Sequence, residues 1–155
     1  MANENVRAKS VYEDICSYFD SKSWKYKRHD DDLVLTYTVT GDDLDMDFIM
    51  FVYDDRELIK IVSRMPVAVP EDKRIEGATA VCAVNYGLSD GFFTFNLADG
   101  KIDFNLVLAY MGSELTNEAF EYLVAYSQFV VDEYNDKFFA FAKGYMGLED
   151  FIKNE

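Results

Sequence analysis

Little in this chain supports the commoner catalytic or metal chemistries. It holds one histidine, two cysteines, two prolines and one tryptophan in 155 residues. A single histidine (His29) and two cysteines 66 positions apart (Cys16 and Cys82) do not complete a zinc set, and no CxxC pair exists. GxSxG, HExxH, Walker A and GxGxxG signatures are all missing, so no nucleophile elbow, zincin helix or phosphate cradle is written here. No apolar run approaches the ~20 residues of a membrane span, and the N-terminal MANENVRAKS has no signal-peptide core. Basic charge is also scarce. Fifteen Lys+Arg face 29 Asp+Glu, a net charge of −14 and a pI near 4.3, which opposes phosphate backbones and anionic lipid. Nucleic acid and membrane are therefore not expected as partners. The cytoplasm is the expected compartment, with both cysteines reduced and buried.

Apolar and aromatic residues are plentiful, at 50 % and 16 % of the chain. That content excludes intrinsic disorder, and the length fits one domain over residues 1–155. Ala8, Val11, Ile15, Tyr18 and Phe19 recur at helical spacing within a first helix from Asn3 to Asp20. From Trp24 to Met65 the period drops to two. Leu33, Leu35, Tyr37 and Val39 alternate with a threonine-rich face, and Leu44, Met46, Phe48, Met50 and Val52 line one side of the next strand. The other side of that strand turns apolar at Ile49, Phe51 and Tyr53, which one helical layer is expected to cover. Pro66 and Pro70 end the sheet, and Pro70-Glu71-Asp72 opens a second helix. Its inward stripe reads as Ile75, Thr79, Cys82 and Tyr86, with Gly87 as the stop. Asp99-Gly100 joins Phe92–Leu97 to Lys101–Tyr110 as a hairpin. Thr116 then caps a long helix running to Gly144.

The order α-β(3-4)-α-β-β-α predicts an α+β fold, an antiparallel sheet of five or six strands with helices packed on it. At ~100° per residue, Phe120, Leu123, Val124, Val130, Val131, Tyr134, Phe138, Phe141, Ala142 and Tyr145 form the core stripe of the last helix. Tyr122, Tyr126 and Phe129 fall on its opposite face. They are the candidate protein-contact surface, most simply that of a homodimer; the alternative is cover by the N-terminal segment or a loop.

Other candidate sites carry less. Asp43-Leu44-Asp45-Met46-Asp47 has alternating carboxylates but no calcium-loop glycine, and its flanks read as strand. Asp30-Asp31-Asp32 reads as a solvated turn, and His29 as a surface residue. No metal ligand, cofactor site or catalytic residue is assigned. Lys22, Lys25, Lys27 and Arg28 concentrate positive charge, either as a solvated face or as a docking patch for an acidic partner.

Several of these residues together resemble the YbjN family. They are Trp24 opening the first strand, Leu58 to Val69-Pro70 leading into the middle helix, and Asn85 near that helix's end. Gly91-Phe92-Phe93-Thr94-Phe95, Asp99-Gly100 and Ile102-Asp103-Phe104 complete the resemblance. The family carries the label of bacterial sensory transduction regulator and a fold like that of type III secretion chaperones. The resemblance implies a non-enzymatic protein, often dimeric, that binds a protein client or regulatory partner. A small-ligand domain, with a pocket between sheet and long helix lined by Phe51, Tyr53 and Tyr37, is the other reading.

Overall fold

The computed structural model describes residues 2–154, with side chains from residue 6 onward. The chain runs α1 (Ala2–Ser21), β1 (Lys27–His29), β2 (Val34–Thr40), β3 (Asp45–Tyr53), β4 (Leu58–Ala68), α2 (Arg74–Gly87), β5 (Phe92–Phe95), β6 (Lys101–Ala109), α3 (Asn117–Ala142) and α4 (Leu148–Lys153). Six strands make one antiparallel sheet in the order β1-β2-β3-β4-β6-β5. The expected α+β class and strand count are what is found. The short α4 is an addition that the sequence reading did not contain.

Strand alternation decides which side of the sheet is dry. Leu35 and Tyr37, then Met46, Phe48, Met50 and Val52, then Ile59 and Ile61 are all buried, as are Phe93, Ile102, Phe104 and Leu106. α1 and α3 supply the other half of this core. Phe19 meets the Tyr37 ring at 5.0 Å, Tyr18 meets Phe120 at 6.0 Å, and Phe93 meets Phe138 at 5.2 Å between centroids. Each such aromatic removes a large apolar area from water, the dominant favourable contribution to folding. The predicted α1 stripe is wholly buried. The α3 stripe is buried over most of its length, but Tyr134 is half-buried and Tyr145 lies beyond the helix, 79 % exposed. Two polar residues, Ser127 and Asn135, take core positions in their place. Thr116 caps α3 as expected, its hydroxyl accepting from the Ala119 N–H.

Among the described residues no helix covers the opposite face of the sheet, and this corrects the expectation for β3. Ile49 is 38 % exposed there, and Phe51 and Tyr53 are half-buried, their rings 5.9 Å apart and the Arg56 guanidinium 4.3 Å from the Tyr53 ring centroid. α1 and α3 spend their apolar stripes on the Met46–Val52 side, so no helical layer remains for this one. An antiparallel sheet tolerates one wet face.

The β5–β6 hairpin forms around the predicted Asp99-Gly100 pair. Gly100 has φ +76 and gives its carbonyl to the Val69 N–H at 2.9 Å, so the turn is also fastened to the end of β4. A Cβ on Gly100 would fall 2.1 Å from the Val69 carbonyl oxygen, leaving no room for another residue.

Candidate functional site

α2 packs with its small residues inward. Gly77, Ala80, Val81 and Val84 are buried, whereas Ile75 is 76 % and Tyr86 93 % exposed and Thr79 and Cys82 face solvent. The predicted inward stripe is therefore the outward one. The reason is distance: a Cβ on Gly77 would already touch the Phe95 ring at 3.0 Å and Val69 at 3.1 Å. A helix this close to the sheet has no space for isoleucine or tyrosine beneath it. Cys82 is consequently exposed, against the expectation of two buried thiols; Cys16 is buried, and neither is in a disulfide. Burial raises the Cys16 thiol pKa above its ordinary value.

The close approach has a second effect. The Asn85 side chain reaches the free edge of β5, donating Nδ2–H to the Phe93 carbonyl at 2.8 Å and accepting the Phe93 N–H at 2.7 Å. One amide thus occupies both edge-facing main-chain groups of Phe93, as a neighbouring strand would.

On α3, Tyr122 and Tyr126 stack with ring centroids 5.3 Å apart and planes 13° from parallel. Both hydroxyls donate to Asp90 in the α2–β5 loop, Tyr122 to its carboxylate at 2.7 Å and Tyr126 to its carbonyl at 2.9 Å. The carboxylate acceptor, reinforced by desolvation, pushes the Tyr122 phenol up to about 12. The loop thereby half-covers Tyr126 and leaves Tyr122 47 % exposed. Phe129, one further turn along, remains 67 % exposed. The three residues lie on one helix face as read from the sequence. The pairing of two of them with Asp90, 32 and 36 positions away, was not legible there.

The remaining candidates resolve simply. Asp45 and Asp47 are exposed on β3, with Asp47 accepting from the Thr38 hydroxyl at 2.6 Å. No group of three or more potential metal-ligating side chains occurs among the described residues. Asp30 accepts from Arg28 and from the Tyr12 hydroxyl, which holds its carboxyl below the usual range. No serine or cysteine hydrogen-bonds His29 among the described residues. Of the basic group, Arg28 pairs with Glu13 and Asp30, and Lys22 sits over the Tyr18 ring. Lys25 and Lys27 are exposed with no ion pair among the described residues. Tyr37 lines a cleft of about 360 Å³ with Phe19, Trp24 and Gln128. Phe51 and Tyr53 lie on the other side of the sheet and take no part in it.

The protein is thus an α+β fold built on a six-stranded antiparallel sheet, with several large apolar side chains left uncovered. Comparison narrows this further. The model of the YbjN family, described as "Putative bacterial sensory transduction regulator", matches residues 12–140, so the chain belongs to the YbjN family. The fold is similar to that of a solved structure described as "Crystal structure of YbjN, a putative transcription regulator from E. coli". The two share 16 % identity with a TM-score of 0.58, over 81 % of this chain and 91 % of that one. No curated protein matches the chain. No helix among the described residues is long and apolar enough to cross a membrane.

Proposed function

We propose that the protein is a non-enzymatic regulatory module of the cytoplasm that works by holding other proteins, through a homodimer contact or a client surface. One observation carries this reading. A chain able to bury more than thirty apolar residues still leaves Phe129, Ile75, Tyr86 and Ile49 in water, on three different elements. Ile75 and Tyr86 share the outer face of α2, Phe129 stands on α3 beside Tyr122, and large apolar side chains left in water in this way mark candidate contact surfaces. The family description supports a regulatory role. A net charge of −14 disfavours direct contact with DNA, so regulation by this chain would pass through proteins.

Phe129 is the cleanest probe of the α3 surface, because Tyr122 and Tyr126 also hold Asp90. Light scattering of the unmodified protein beside Phe129→Glu, together with pull-down of bound proteins, tests the reading. A dimer that dissociates, or a captured partner that is lost, supports it. A monomer whose captured set is the same with Phe129→Glu removes the α3 surface from consideration. The ligand-binding reading has less behind it: the cleft at Tyr37 opens at the sheet edge and is not enclosed between sheet and long helix.

A further inference from the structure

β1 is three residues long and its partner β2 is seven. Their register, from His29↔Val34 to Lys27↔Thr36, ends where β2 still has four residues to run. On the other side of β2, Leu33 accepts the Val52 N–H of β3. Antiparallel alternation then turns the main-chain groups of Thr36, Thr38 and Thr40 away from β3. Thr36 meets Lys27. Thr38 and Thr40 have no main-chain partner on that side among the described residues.

The end of α1 explains the vacancy. Ser23 is left-handed at φ 56, and the Trp24 N–H turns back to the Phe19 carbonyl at 3.1 Å, closing the helix. Trp24 is thereby held against Phe19 and Tyr18, at 5.5 and 5.7 Å between centroids, and cannot continue the ladder beside β2. Two hollows result, about 360 Å³ on the helix side and about 550 Å³ on the open face, and both are lined by Lys25, Tyr37 and Thr38. They flank the same stretch of β2 from the two sides of the sheet, next to its unpaired strand groups, and together outline a slot along that edge.

Three features define an occupant. The slot is blind where β1 rejoins β2 at Lys27 and Thr36, so a chain end fits and a chain passing through does not. Lys25 stands at the slot, with Lys22 and Lys27 beside it in sequence, a local excess of positive charge in a strongly acidic protein. Trp24, 40 % exposed, offers an apolar surface beside the slot. We propose that the slot receives the C-terminus of an extended peptide from another protein, added as a short strand antiparallel to β2 at Thr38 and Thr40. Its carboxylate lies by Lys25, and an apolar last side chain packs on Trp24. Strand addition supplies affinity through main-chain hydrogen bonds, and the carboxylate and last side chain supply specificity.

This proposal rests on the protein-binding reading and names one site for it. Short randomised peptides displayed with free C-termini are selected on the protein, beside the same library displayed with its C-termini blocked by fusion. Enrichment confined to the free-C-terminal format, with apolar final residues, is the expected result. In fluorescence anisotropy the selected peptides should weaken by about ten-fold on C-terminal amidation, and likewise with Lys25→Glu, the loss of one charge-assisted contact. Equal enrichment in both formats, no enrichment, or binding indifferent to amidation and to Lys25→Glu overturns the slot. Complexes sensitive to Phe129→Glu that survive Lys25→Glu would leave the wider reading intact while this site falls.

Discussion

The sheet has two edges, and they are finished in opposite ways. At β5 a helix lies near enough for Asn85 to occupy both outward main-chain groups of Phe93. At β2 a three-residue strand stops short and Thr38 and Thr40 stay open. The difference traces to what the neighbouring helix puts at the contact. α2 offers Gly77 and Ala80 and slides close, whereas α1 ends in a cap that folds a tryptophan back and keeps its chain away. Lysines at 25 and 27 flank the open edge, a device that discourages pairing between like sheets without filling the groups themselves. Closure needs proximity; charge alone only selects what approaches.

Breaking the closed edge should have the largest effect. Gly100→Ala forces a left-handed alanine against the Val69 carbonyl at the base of the β5 hairpin, and denaturant unfolding should show a loss of about 3 kcal/mol or more. Asn85→Ala strips Phe93 of both partners in a half-buried setting, at about 2 kcal/mol. Hydrogen exchange sharpens that result: the Phe93 amide, protected in the unmodified chain, should exchange as fast as those of Thr38 and Thr40 in the variant.

Smaller effects follow from the loop that feeds β5. Tyr122→Phe removes a hydrogen bond to Asp90 on a well-exposed ring and should cost less than about 1 kcal/mol. Its signature is clearer in pH. The Tyr122 phenol is raised from 10.0 to about 12 in the folded chain, because Asp90 accepts from its neutral form. That contribution is whole below pH 10 and fades as the pH climbs through about 12. Ultraviolet titration of phenolate should show one late-ionising tyrosine fewer in Tyr122→Phe. Smallest of all, Lys25→Glu at the open edge should leave unfolding within about 0.5 kcal/mol, since nothing in the fold leans on it.

Much of this architecture was legible in residue order. The α1 stripe, the period-two runs of β2 and β3, the Asp99-Gly100 turn and the Thr116 cap each announce themselves locally, and local signals survive folding. α2 was misread because apolar residues surround it, so periodicity alone offered two inward faces. Only the spacing to Phe95 and Val69 chose the slimmer one. The Ile49, Phe51 and Tyr53 face was likewise assigned a cover that α1 and α3 were already using elsewhere. Tyr122, Tyr126 and Phe129 were correctly grouped on one helix face, but Asp90 reaches two of them from a distant loop. Of the slot beside β2 only the lysine cluster around Lys25 showed in the sequence; the opening itself had no signal, because it depends on where a neighbouring strand stops.

The outward turn of α2 also decides the thiol chemistry of the whole chain. With Cys16 sealed in the core and Cys82 in water, a maleimide dye would attach at one address, on the exposed helix surface that also carries Ile75 and Tyr86. A fluorophore there would brighten or dim when another molecule settled over that surface, giving a direct optical report of the contact without any substitution in the sequence.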